Sequence, residues 1–118
     1  MTLHEQLVTQ AAAAEQEKKT RRAKQDAANL QKAEEIAREL LRMGFPNVTR
    51  DFSSISRLDV SATYLGHKFV AAVSYDGPIM LLPPDGHGGY QGWRVIGGDP
   101  SDLEAAIISA LTGLKPKN

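Results

Sequence analysis

Few side chains in this chain have the type and spacing that chemistry needs. The three histidines, His4, His67 and His87, lie far apart. A strand meander would bring His67 to the same sheet end as Asp85 and His87, where imidazole and carboxylate could hold a divalent cation. Nothing in their spacing fixes a ligand set, and both histidines fall at turn positions. No metal and no cofactor is expected. The serines at 53, 54, 56 and 61 stand in no G-x-S-x-G elbow. The acidic residues fall in turns, helix starts and helix faces, whereas acid–base work needs carboxylates paired in a cleft. Cysteine is absent, which removes thiolate nucleophiles, disulfides and zinc–thiolate sites. No catalytic residue is assigned and no enzymatic activity is expected.

Two stretches could bind. Asp85-Gly86-His87-Gly88-Gly89-Tyr90-Gln91-Gly92 carries four of the ten glycines. A phosphate cradle would need Gly-Lys-Ser/Thr, or G-x-G-x-x-G, opening a helix. This stretch leads to Tyr90 and a strand instead. It reads as a flexible loop between strands that could present His87, Tyr90 and Trp93 for recognition. The second stretch is Lys18-Lys19-Thr20-Arg21-Arg22-Ala23-Lys24, the strongest charge feature of the chain. It is a solvated helix flanked by Glu15, Glu17 and Asp26, or else an arm that contacts phosphates.

Length and composition bound the rest. A chain of 118 residues is normally one domain. Fourteen basic residues balance fourteen acidic ones, so bulk charge favours neither nucleic acid nor membrane. The N-terminus lacks a basic region followed by an apolar core, and no apolar run reaches the roughly 20 residues of a membrane span. A cytoplasmic protein is expected.

Residues 2–43 contain no Gly or Pro and are rich in strong helix formers. Glu15–Lys19, Glu17–Arg21 and Glu34–Arg38 are favourable i,i+4 pairs. Gly44, with Phe45-Pro46 behind it, ends the helix. Ala23, Ala27, Leu30, Ala33, Ala37, Leu40 and Leu41 form a broad apolar face with Ile36 and Met43 at its edge. Such a helix would span roughly 60 Å, about twice the diameter of the remaining domain. Its first part must protrude, bend back or pair. Leu3, Leu7, Val8, Ala11, Ala12 and Ala14 give the tip a weak apolar side, which favours pairing. We therefore divide the chain into a protruding or partner-binding helical arm, 1–29, and a single α+β domain, 30–118.

Leu58, Val60, Ala62 and Tyr64 alternate with Asp59, Ser61 and Thr63, the period of a strand with one buried face. Gly66-His67 reads as a type II′ turn, which would set Tyr64 opposite Phe69, Ala62 opposite Ala71, Val60 opposite Val73 and Leu58 opposite Tyr75. Asp76-Gly77 reads as a two-residue type I′ turn, setting Met80 opposite Val73 and Leu82 opposite Ala71. A weaker strand over 47–55 and a last strand at Trp93–Ile96 flank these. Asp99-Pro100 and the Ser101/Glu104 capping box compete to start the final helix, whose stripe is Leu103, Ile107, Ala110, Leu111 and Leu114. The expected fold is α+β: a long N-terminal helix, an antiparallel meander of three to five strands, and a C-terminal amphipathic helix packed on the sheet. Leu40, Leu58, Val60, Tyr64, Phe69, Val73, Leu82, Val95, Ile107 and Leu111 are its expected core.

This order resembles the double-stranded-RNA-binding domain in topology. That family's second helix opens on lysines, where this chain has Asp99, Asp102 and Glu104, so the family is not assigned. The basic run likewise resembles a basic region leading into a dimerising helix, but Ala and Glu34 stand where a zipper needs leucines.

The expected function is that of a small non-enzymatic interaction protein, self-associating as a homo-oligomer or binding a protein partner through residues 1–30. Such size and simplicity suit an accessory, inhibitor or phage-type protein. Leu3, Leu7, Lys18, Lys19, Arg21, Arg22, Lys24, His87, Tyr90 and Trp93 are the expected partner-binding residues. Nucleic-acid binding through Lys18–Lys24 is the alternative.

Overall fold

In a computed structural model of the chain, which describes residues 2–54 and 56–116, helix α1 (Leu3–Arg42) precedes five strands and a second helix. The strands are β1 (Thr49–Asp51), β2 (Arg57–Tyr64), β3 (His67–Ser74), β4 (Ile79–Leu82) and β5 (Arg94–Gly97). They form one antiparallel sheet in the order β1-β2-β3-β4-β5, an α+β meander. A 3₁₀ turn (Pro100–Asp102) leads into α2 (Leu103–Leu111).

Both helices lie on one face of the sheet. Ala33, Ile36, Ala37 and Leu40 of α1, and Leu103, Ile107, Ala110 and Leu111 of α2, share one buried cluster with Val60, Ala62, Phe69, Ala71, Val73, Ile79 and Leu81. Ile36 sits at the centre of the α1 stripe, whereas Leu30 and Leu41 are half-exposed. Alanines at several angles leave the phase of this stripe ill-defined in sequence; the sheet selects the side that carries Ile36.

Each end of α1 is closed by its own residues. At the start, Thr2 Oγ1 accepts from the Glu5 amide and the Glu5 carboxylate accepts from the Thr2 amide, a complete capping box. At the end, Gly44 takes φ +85°. The Gly44 amide donates to Leu41 O, and the Phe45 amide to Leu40 O. This Schellman pair turns Phe45 back onto the core, edge-to-face with Phe69 at 5.1 Å. Ahead of α2, Asp99 caps the 3₁₀ turn, its carboxylate accepting from the Ser101 amide at 2.9 Å, while Asp102 at the N-cap of α2 itself makes no side-chain cap bond.

Both hairpin registers differ from the sequence expectation. The first turn is Leu65-Gly66, with φ of +51° and +84°, so Tyr64 faces His67, Ala62 faces Phe69, Val60 faces Ala71 and Leu58 faces Val73. Two successive positive φ values give the primed turn that fits the strand twist, and here they admit a leucine. The second loop has three residues, Tyr75-Asp76-Gly77. The Gly77 amide donates to Ser74 O and the Ser74 amide to Pro78 O, with Gly77 at φ +104°. Val73 therefore faces Ile79 and Ala71 faces Leu81. Leu81, not Leu82, enters the core, and a register shift against β5 leaves Val95 70% exposed and packs Ile96 inward.

Leu65 is a point where this chain departs from its best local choice. It is 41% exposed, so it buries little while holding a left-handed conformation that favours Gly or Asn. Leu65→Asn, which makes an Asn-Gly turn, is expected to raise stability by about 1 kcal/mol. Urea unfolding checks this, as a higher midpoint at unchanged slope.

Candidate functional site

The helical arm is the feature that no packing within the chain explains. Every helical residue from Leu3 to Lys24 is exposed, Gln25 is the first to be partly covered, and Asn29 is the first to be buried. The molecule measures 73 × 25 × 21 Å with a radius of gyration of 19.4 Å, against about 13 Å for a compact chain of this length. The arm is helical because the anchored half of α1 supplies the nucleus, so each further residue adds a hydrogen bond without a new nucleation cost. Its residues have the propensity to continue, and Glu17 pairs with Arg21 at 2.7 Å. Glu34, expected to pair with Arg38, instead meets Arg50 of the neighbouring β1 at 3.0 Å.

The base of the arm is clamped to the β3–β4 turn. Asn29 donates to Tyr75 O at 3.0 Å and accepts from Gln25 at 2.9 Å. Lys32 Nζ donates to Gly77 O at 2.8 Å. The Arg22 guanidinium stands 5.8 Å from the Tyr75 ring centroid. These bonds use turn carbonyls that no strand partner takes up, and they fix the direction in which the arm leaves.

Beside this clamp lies a cleft of about 320 Å³, lined by Arg22, Asp26 and Leu30 from the helix and by Phe52, Leu58 and Tyr75 from the sheet end, among others. Its walls mix apolar side chains with two arginines and one carboxylate. Four separate segments build it, so no local pattern in the sequence could have marked it.

The glycine loop lies at the other end of the sheet. A smaller pocket of about 140 Å³ joins His67 and Lys68 to Pro84, Gly88, Gly89 and Tyr90, so the loop and the first hairpin turn share an end. His67, placed in the turn by sequence, is the first residue of β3 and is buried. Its Nε2–H donates to the Lys115 carbonyl at 2.8 Å, which ties down the C-terminal tail. The Asp85 carboxylate accepts from the His87 and Gly89 amides at 2.7 and 3.1 Å. Those bonds hold it below the usual carboxylate range and give the loop a defined shape. Among the described residues, no three His, Asp or Glu side chains are grouped to hold a metal ion.

His87 and Tyr90 are exposed in this loop, and Trp93 is 38% exposed, 4.7 Å from the Arg57 guanidinium. Leu3, Leu7, Lys18, Lys19, Arg21, Arg22 and Lys24 are all exposed on the arm. The arm leaves beside the β3–β4 turn, and His87 and Tyr90 lie at the β2–β3 end, so the ten sequence-derived residues do not converge on one surface.

The other carboxylates with lowered pKa values, Glu39, Asp51 and Asp99, are held down by Arg42, by the Ser53 hydroxyl and amide, and by the Ser101 amide, respectively. Each stabilises a turn or a helix pair. No helix among the described residues is long and apolar enough to cross a membrane. Compared with family models, with curated proteins and with solved structures, the chain has no match.

Proposed function

We propose that this chain is a small non-enzymatic interaction protein of the cytoplasm, which engages a protein surface, of a partner or of its own copy, through its N-terminal helix. One observation carries the reading. Twenty-two helical residues, Leu3 to Lys24, are exposed around the whole helix yet continue a segment hydrogen-bonded to the domain. A helix held out in this way presents side chains at helical spacing, so less backbone ordering is required on binding than for an unstructured segment. The tip adds Leu3, Leu7 and Val8, each 55–70% exposed, and such residues on a rigid helix suit a helix-in-groove contact.

The test compares the full chain with a variant lacking residues 2–22. Both should fold alike by circular dichroism outside the lost arm, because no buried residue is removed. The full chain should show arm-dependent association, as mass in light scattering or as protein captured from its native cell extract. Equal masses and equal captured partners for the two would overturn the reading.

A second reading has one observation in its favour. Among the described residues, only Arg21 of the five cations Lys18, Lys19, Arg21, Arg22 and Lys24 has a carboxylate within 4 Å. Free cations on a projecting helix suit phosphate contacts. On this reading a labelled duplex binds with an affinity that falls steeply with salt, and neutralising Lys18, Lys19, Arg21 and Arg22 removes the binding.

A further inference from the structure

Resting on the interaction reading of the arm, we infer that its partner is a second copy of this chain: two arms pair antiparallel across Ala11–Ala14, and each tip reaches the cleft at the base of the other arm. Three features of the arm lead there independently.

The first is rotational phase. Leu7 and Ile36 are 29 residues apart, about eight turns at 3.6 residues per turn. Leu3, Leu7, Ala11 and Ala14 therefore look to the same side as Ile36, which is buried against the sheet. The apolar side of the arm faces the layer that the sheet occupies farther along the helix. That layer is empty beside the arm, and a second helix packs at 8–10 Å between axes.

The second is length. The free part of the helix runs from Leu3 to Lys24, and its midpoint falls between Ala13 and Ala14. A copy laid antiparallel, with its tip stopping where the other domain begins, must cross at this point. The crossing lands in four consecutive alanines, Ala11–Ala14, the longest run of small side chains in the helix and the place where two backbones can approach most closely.

The third is charge. Leu3 to Glu17 holds Glu5, Glu15 and Glu17 and no Lys or Arg; Lys18 to Lys24 holds five cations and no acid. Antiparallel pairing lays Lys18–Lys24 of one arm on Leu3–Thr9 of the other, which holds Glu5 and no Lys or Arg, and opposes the helix dipoles, while parallel pairing lays the five cations on five cations. The same register sets Leu3 level with Lys24 of the second copy. Leu3 thereby arrives at the mouth of the cleft, beside Asp26 and Leu30 and the exposed Tyr75 ring.

The chain lacks cysteine, so a single introduced thiol reports the geometry in the full-length protein. Ala14→Cys, at the crossing, should give a disulfide-linked dimer under mild oxidant. Leu3→Cys should not, because antiparallel arms hold the two tips about 30 Å apart. In sedimentation the unmodified chain should be a dimer, and Leu7→Gln should raise the dimer dissociation constant about tenfold or more without altering the fold. A Leu3→Cys disulfide would mean parallel arms and overturn the inference. So would a monomeric parent chain with no Ala14→Cys product. Should that monomer still capture another protein only when its arm is present, the interaction reading stands and the self-pairing alone falls. Loss of arm dependence in every assay would sink both.

Discussion

Phe69→Ala is expected to destabilise the domain by about 3–5 kcal/mol. Phe69 is fully buried on the central strand β3, on the sheet face that both helices cover. Removing its ring withdraws the transfer energy of a whole aromatic side chain and leaves a cavity that strands paired on both sides cannot collapse to fill. It also removes the edge-to-face contact with Phe45, 5.1 Å between centroids at 75°, worth about 0.5–1.5 kcal/mol beyond area. Phe45 is the residue that the Schellman motif returns to the core, so the substitution loosens the end of α1 as well. Domains of this size have about 5–15 kcal/mol in total, so the urea midpoint should fall by about 2 M. Phe69→Leu keeps most of the volume and should lose less than half as much. Equal losses for the two variants would show that the ring, and not the cavity, carries the effect.

What could be read in the sequence, and what could not, follows from how each error propagates. Alternation over Leu58–Tyr64 identifies the buried face of β2, because a period of two is insensitive to where the strand pairs. Placing the first turn at Gly66-His67 misplaces the register by two residues. A slip of two leaves every side chain on its own face, so Phe69 and Val73 belong to the core in either register. Placing the second turn at Asp76-Gly77 misplaces the next register by one. A slip of one turns the strand over and puts Leu82 where Ile79 and Leu81 belong. The deciding residues were Leu65, in a conformation leucine seldom adopts, and Gly77, whose positive φ serves a three-residue loop as well as a two-residue one.

The long helix was legible from composition, since residues 2–43 hold neither Gly nor Pro. Its clamp was not. Asn29 and Lys32 are ordinary helix-surface residues until the β3–β4 turn presents the Tyr75 and Gly77 carbonyls to them. The tertiary fold alone brings residues 45 or more positions apart together there.

Ala37→Asp is expected to be the most damaging single change, and its damage should depend on pH in a direction opposite to the rest of the protein. Ala37 has no exposed surface and faces the core from the middle of the anchored half of α1. A carboxylate there enters the apolar cluster that α1 shares with the sheet and α2. An uncompensated buried charge is worth about 3–5 kcal/mol of destabilisation, enough to detach this half of the helix at pH 7. Because that half nucleates the arm, helicity should fall along all of α1, a loss far larger in circular dichroism than the few residues around position 37 account for. Burial raises the folded-state pKa of the new carboxyl above its unfolded value of about 3.9. The folded state then binds the proton more tightly, so the penalty is complete above the folded pKa, shrinks as pH falls, and is smallest below about 3.9. The native carboxylates Asp51, Asp85 and Asp99 have lowered pKa values, so their contribution is present above the unfolded value and is lost as pH falls through the folded one. The quantity to measure is therefore the stability gap between variant and parent at each pH, from urea unfolding between about pH 3.5 and 7. That gap should narrow toward acid. Ala37→Asn, of nearly the same shape but unable to ionise, should be less stable than the parent by an amount that does not change with pH. A gap for Ala37→Asp that stays constant would mean that the carboxylate reaches water, and hence that this turn of α1 is not sealed against the sheet.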